Sequence, residues 1–101
     1  MQFAMARSKA GHDKGKLYVV SQQTQDAVFL ADGKYKLLAA PKKKKWKHVQ
    51  IIRAIPPDVL AETEGEKVLS DVLVKRILKL YQKAVPNAGK TAGEIGGAEE
   101  S

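Results

Sequence analysis

Between residues 3 and 52 the apolar side chains come in short runs cut by turn-forming residues. After residue 56 they recur at three- and four-residue steps instead. The first pattern is that of closely spaced β-strands, the second that of amphipathic helix. The short runs are 3–7, 17–21, 27–31, 34–38 and 48–52, rich in Val, Phe, Tyr, Leu and Ile. Five strands of this length predict a small barrel. Asp32-Gly33, between Val28-Phe29-Leu30 and Tyr35-Lys36-Leu37, predicts a two-residue type I′ hairpin in which both central residues take positive φ. The polar stretch 22–26 predicts another reversal. Residues 9–15 form a longer connection between the first two strands, and Pro41 marks the exit from the fourth.

Pro56-Pro57 ends the β-pattern. Pro57-Asp58 suits a first helical turn, giving a short helix to about Thr63 that Gly65 ends. For the second helix, Thr63-Glu64-Gly65-Glu66 has the form of a capping box but places Gly65 inside the first turn. Ser70 is the simpler N-cap, with Asp71 at the positive end of the helix dipole. From Val72 onward, Leu73, Ile77, Leu80, Tyr81 and Ala84 recur at three- and four-residue steps, while Lys75, Arg76, Lys79, Gln82 and Lys83 fall largely elsewhere, and Pro86 stops the helix. Packing of the stripe onto the β-unit is the expected role. Membrane-surface or partner-helix binding is the rarer use of such a stripe. Residues 86–101 have Ile95 as their only large apolar side chain, too little to offset the entropy of ordering, and are expected to be disordered. The chain thus divides into a β-barrel over 1–53, a helical appendage packed on it over 54–85, and a tail over 86–101.

The 101 residues suffice for one modest core. Lysine and arginine number 18 against 11 acidic residues, a net charge of +7 that predicts an anionic partner. The excess is uneven: residues 1–53 carry +9 and residues 54–101 carry −2. Cysteine is absent, which removes disulfides, thiolate metal sites and cysteine nucleophiles. The longest apolar run is the five residues Ala27–Ala31, far short of a membrane span, and no secretory hydrophobic region follows the N-terminus. The reading is of a cytoplasmic protein without a membrane.

Two stretches imitate phosphate-binding loops. Gly11-His12-Asp13-Lys14-Gly15-Lys16-Leu17 has three residues between its glycines where a P-loop has four, and Leu17 stands where a magnesium-binding hydroxyl is needed. Gly89-Lys90-Thr91 has the right ending, but Ala84 occupies the leading glycine position. His12 and His48 are the only histidines, and Asp13, Asp26 and Asp32 add no recognisable ligand spacing, so no metal or cofactor is expected. A triad drawn through Ser8 or Ser21 has no glycine elbow behind it, and no carboxylate pair sits in a readable cleft. The chain reads as a binding protein, not an enzyme.

Two constellations carry that binding. In the first, Gly11 and Gly15 admit positive φ and Asp13 accepts turn hydrogen bonds, shaping a loop ringed by Arg7, Lys9, His12, Lys14 and Lys16. Such a loop is either a solvated turn or a cradle for backbone phosphates. The second is Lys42-Lys43-Lys44-Lys45-Trp46-Lys47-His48, five lysines and a tryptophan in seven residues. Its lysines neutralise phosphates, and Trp46 either stacks on an unpaired base or covers the barrel's edge. A nuclear-import signal fits residues 41–47 as well, and ranks below RNA contact.

A basic turn, Gly11-x-Asp13-x-Gly15-Lys16, running into Leu17-Tyr18-Val19-Val20 resembles the KOW motif, a β-loop-β unit of ribosomal proteins and transcription elongation factors. With Ala31-Asp32-Gly33-Lys34 and Pro41-Lys42-Lys43-Lys44-Lys45-x-Lys47-His48, residues 3–50 resemble small bacterial KOW-domain RNA-binding proteins related to archaeal and eukaryotic large-subunit ribosomal proteins. The glycine that commonly opens such units is replaced by Phe3. The resemblance implies an SH3-like barrel, within a mainly β (α+β) fold, that contacts RNA. The expectation is a monomeric, ribosome-associated protein that grips large-subunit ribosomal RNA, beside ribosomal proteins, through these basic loops. The contacts expected are Arg7, Lys9, His12, Lys14, Lys16, Lys42, Lys43, Lys44, Lys45, Trp46, Lys47 and His48. The alternative is a protein-docking adaptor of the transcription or translation machinery, using the barrel or the second helix. Peripheral membrane binding through the lysines has thinner support.

Overall fold

The computed structural model describes residues 2–85. Five strands, β1 (Met5–Ser8), β2 (Leu17–Gln23), β3 (Ala27–Ala31), β4 (Lys42–Lys45) and β5 (Val49–Ile52), are followed by helices α1 (Pro57–Thr63) and α2 (Asp71–Ala84). All strand pairs are antiparallel, in the order β4-β3-β2-β1-β5. The chain is therefore a small α+β protein. A 3-10 turn over Trp46–His48 is all that separates β4 from β5, although these strands form the two edges of the sheet. Four inter-strand steps in a flat sheet would set the edges ~19 Å apart, whereas the link from Lys45 to Val49 spans no more than about 14 Å. The sheet is accordingly curled. No ladder joins β4 to β5, so it does not close, and the barrel expected from five strands is not formed.

Both faces of the sheet are buried, which is why the strand runs are nearly continuous apolar segments. Met5, Leu17, Val19 and Ala31 meet Val59, Leu73, Val74, Ile77 and Tyr81 of the helices. On the concave face Ala6, Tyr18, Val20, Val28, Leu30 and Val49 form a second cluster, flanked by Ala4, Trp46 and Ile51. The helical region is thus half of a shared core. Ser70 caps α2 as expected, its Oγ accepting from the Leu73 N–H at 3.1 Å. Pro57 opens α1, and Gly65 follows its C-cap, Glu64. The tail expected over 86–101, and Pro86 itself, lie outside the described residues.

Three parts of the β-unit differ from the sequence expectation. Residues 34–38 are not a strand, and Asp32-Gly33 is not a two-residue hairpin. The buried Asp32 carboxylate explains this, because its Oδ1 accepts the N–H groups of Lys34, Tyr35 and Lys36 at 2.7–2.9 Å. The Lys36 carbonyl then folds back to accept from Asp32 N–H at 2.9 Å. Asp71 Oδ1 holds the Leu38 N–H at 2.8 Å and ties the segment to the start of α2. The fourth strand is instead the lysine run Lys42–Lys45, expected to be a loop. Its register against Ala27, Val28, Phe29 and Leu30 points Lys42 and Lys44 to the same face as Leu30 and Val28. The first strand is also displaced, to Met5–Ser8 from the expected 3–7.

Candidate nucleic-acid interface

The β1–β2 loop is set by its backbone first. Gly11 and Gly15 take φ of 88° and 90°, as their placement predicted. Gly15 N–H reaches the Ser8 carbonyl at 2.8 Å and Lys16 N–H reaches the Asp13 carbonyl at 2.9 Å. Asp13 does more than fix a turn. Its Oδ1 accepts from Ser8 Oγ and Lys44 Nζ, both at 2.9 Å. Its Oδ2 accepts from Tyr18 Oη at 2.6 Å and Lys42 Nζ at 3.0 Å. Burial alone would raise the Asp13 carboxyl, but the hydrogen bonds from Tyr18, Lys44, Lys42 and Ser8 hold it well below the usual carboxylate range. Burial, the bond to Asp13 and the charges of Asp13 and Asp32 push the Tyr18 phenol above its ordinary value. The Lys44 ammonium donates to Asp13, Ser8 Oγ (2.7 Å) and the Ala10 carbonyl (2.6 Å), which engages all three of its protons.

This knot divides the expected RNA contacts into two groups. Lys44, 10% exposed, and Lys42, 32% exposed, face inward to Asp13 and stitch β4 to the loop. Lys16 is bound to Asp32 at 2.7 Å. Burial opposes the Asp32 charge, yet Lys16 and the amides of Lys36, Lys34 and Tyr35 bring its pKa down to about 2. Lys9, His12, Lys14, Lys43, Lys45 and Lys47 are exposed, whereas Arg7 lies half-buried on β1 rather than in the loop. Trp46 donates its indole N–H to the Thr24 carbonyl at 2.9 Å and packs against the concave cluster, so it covers the sheet's edge. His48 is half-buried, and its carbonyl accepts the Lys9 N–H at 2.7 Å.

That last bond, with Lys44 reaching Ala10, brings the two basic segments side by side although 35 or so residues separate them in the chain. Each of the two joined segments carries exposed lysines, Lys9 and Lys14 on one and Lys43, Lys45 and Lys47 on the other, beside the paired Asp13, Lys42 and Lys44. Sequence reasoning missed Ser8 and Tyr18 as partners of Asp13. The available signal was their spacing around a lone acid in a basic loop, since a carboxylate among four cations in a folded loop needs buried donors to fix it. Among the described residues no group of three or more His, Cys, Asp or Glu is placed to hold a metal ion, and no helix is long and apolar enough to cross a membrane. No family model matches the chain, and no curated protein is significantly similar to it.

Proposed function

We propose that this protein is a non-catalytic RNA-binding protein, of the KOW type and associated with the ribosome in the cytoplasm, that grips structured ribosomal RNA by its backbone. The observation that carries the reading is the junction of the two basic segments at Lys9–His48 and Lys44–Ala10, segments that also bear the exposed Lys14, Lys43, Lys45 and Lys47. Ammonium groups so placed neutralise phosphates and release counterions, and an A-form helix is recognised through its shape and 2′-hydroxyls without a base code. A curled five-stranded sheet whose edge strands are linked by a single 3-10 turn supports an SH3-like reading of the β-unit.

The test is crosslinking of the protein to RNA in its native cells with sequencing of the attached fragments, beside sedimentation with ribosomes at moderate and high salt. Discrete peaks on large-subunit ribosomal RNA with co-sedimentation are expected. Scattered or absent crosslinks, with the protein free of ribosomes, overturn the ribosomal assignment. One observation favours a second reading, that of a protein-docking adaptor: Val68 and Val72, on either side of the α2 N-cap, are 73% and 66% exposed. A protein partner that survives nuclease treatment would identify it.

A further inference from the structure

A cleft of about 460 Å³ lies between the start of β2, the 32–36 turn and the outer side of α2. It falls within the range of ~300–1,000 Å³ usual for small-molecule sites. Four lysines line it, Lys16, Lys34, Lys75 and Lys79, around the ring of Tyr35. Among the described residues the only acid in the lining is Asp32, already paired with Lys16 at 2.7 Å, so those residues give the cleft a net charge of +3. Tyr35 is 71% exposed, a large aromatic left in solvent by a fold that buries Tyr18 and Tyr81. Its ring has Lys16 Nζ and Lys34 Nζ at 5.3 and 5.0 Å from the centroid.

We propose that this cleft binds one unpaired nucleotide of an RNA chain, with the base stacked on Tyr35 and the flanking phosphates on Lys34, Lys75 and Lys79. This rests on the RNA-binding reading and extends it from duplex backbone to a single-stranded element. The aromatic ring is what selects a planar anion over an acidic peptide, since stacking is open to every base and adds to the phosphate contacts. Lys16 stays anchored by Asp32. The exposed Lys34 yields the ring face and moves to the phosphate. The cleft also adjoins the basic β1–β2 loop, because Gly15 and Lys16 belong to both the loop and its lining. A strand leaving the duplex at Lys14 would therefore enter it directly.

Binding of the full chain to single-stranded hexauridylate and to a blunt RNA hairpin, measured by fluorescence anisotropy, tests the proposal with the variants Tyr35→Ala, Tyr35→Phe and K75E/K79E. Tyr35→Ala and K75E/K79E are expected to weaken hexauridylate binding at least about fivefold, with Tyr35→Phe near the wild type and hairpin binding changed much less by Tyr35→Ala. Hexauridylate should also shift the Tyr35 ring proton resonances upfield, as stacking requires. Wild-type binding of the hairpin with hexauridylate affinity unchanged in Tyr35→Ala and K75E/K79E overturns the cleft assignment alone. Failure of the wild type to bind either RNA overturns the RNA reading with it. Uridine monophosphate binding as tightly as hexauridylate shows a site for free nucleotides and overturns the assignment to an RNA chain.

Discussion

Replacing Asp13 by Asn leaves the nearly enclosed Lys44 ammonium without its carboxylate partner and with only the neutral acceptors Ser8 Oγ and the Ala10 carbonyl from its present set. A buried cation deprived of its carboxylate costs much more than a solvated pair returns. The substitution is expected to lower unfolding free energy by roughly 2–4 kcal/mol, read as a shift in the urea midpoint. Tyr18→Phe removes one donor to the same carboxylate and should cost less, about 1–2 kcal/mol. The acid limb of stability follows from the same groups. Asp13 and Asp32 are both depressed in the folded state, so the unfolded chain binds more protons as pH falls, and acid favours unfolding. Their contribution is complete above the ordinary carboxylate value of 3.8 and, for Asp32, is lost as pH falls toward its folded value of about 2. Urea midpoints measured from pH 5 downward should fall below pH 4, and more shallowly in Asp13→Asn.

The elements were legible where apolar periodicity marked them. β2, β3, β5 and α2 appear with boundaries close to the sequence expectation, and Ser70 and Gly65 sit where cap chemistry placed them. β4 was not legible, because four consecutive lysines carry no alternation. What makes Lys42–Lys45 a strand is tertiary: two inward ammonium groups answered by one aspartate about 30 residues earlier. Outward lysines on an exposed edge also discourage pairing with another chain. Neighbouring lysines should therefore behave differently. Lys44→Gln is expected to destabilise by ~1–3 kcal/mol, and Lys43→Gln by less than about 0.5 kcal/mol, both read by urea denaturation. The 32–38 segment misled for a related reason, since Asp-Gly is a hairpin signal only while the aspartate is free to turn the chain. Here Asp32 collects three amides and Gly33 is pressed against α2. A Cβ on Gly33 would lie 2.5 Å from the Asp71 carbonyl oxygen, at φ of 77°. Gly33→Ala should cost about 2 kcal/mol or more and lower the thermal midpoint, although Ala is no larger than the usual turn residues.

At the scale of the molecule, the charge asymmetry becomes a spatial one. Of the basic side chains in the front half, Lys16, Lys42 and Lys44 are tied to Asp13 and Asp32. The count of lysines in the sequence therefore overstates the charge offered to a partner, while Lys9, Lys14, Lys43, Lys45 and Lys47 remain exposed on two adjoining segments. The sequence showed which segments were basic, but only the fold distinguishes cations that hold the loop from those that face outward. The division also sets what a charge reversal measures: at Lys44 it reports stability, at Lys43 it reports binding. Helices that complete the sheet's core have a similar consequence, since the Leu73–Ile77–Tyr81 stripe is consumed internally and is not a free docking face.

The most direct measurement is the salt dependence of binding to a structured fragment of large-subunit ribosomal RNA, comparing the wild type with K43E/K45E/K47E after both are shown to fold. The account predicts that log K falls linearly with log salt, and that the variant binds more weakly with a slope flatter by about 1 for each phosphate it no longer neutralises. A wild type that does not bind, or a variant whose affinity and slope equal the wild type's, would contradict it.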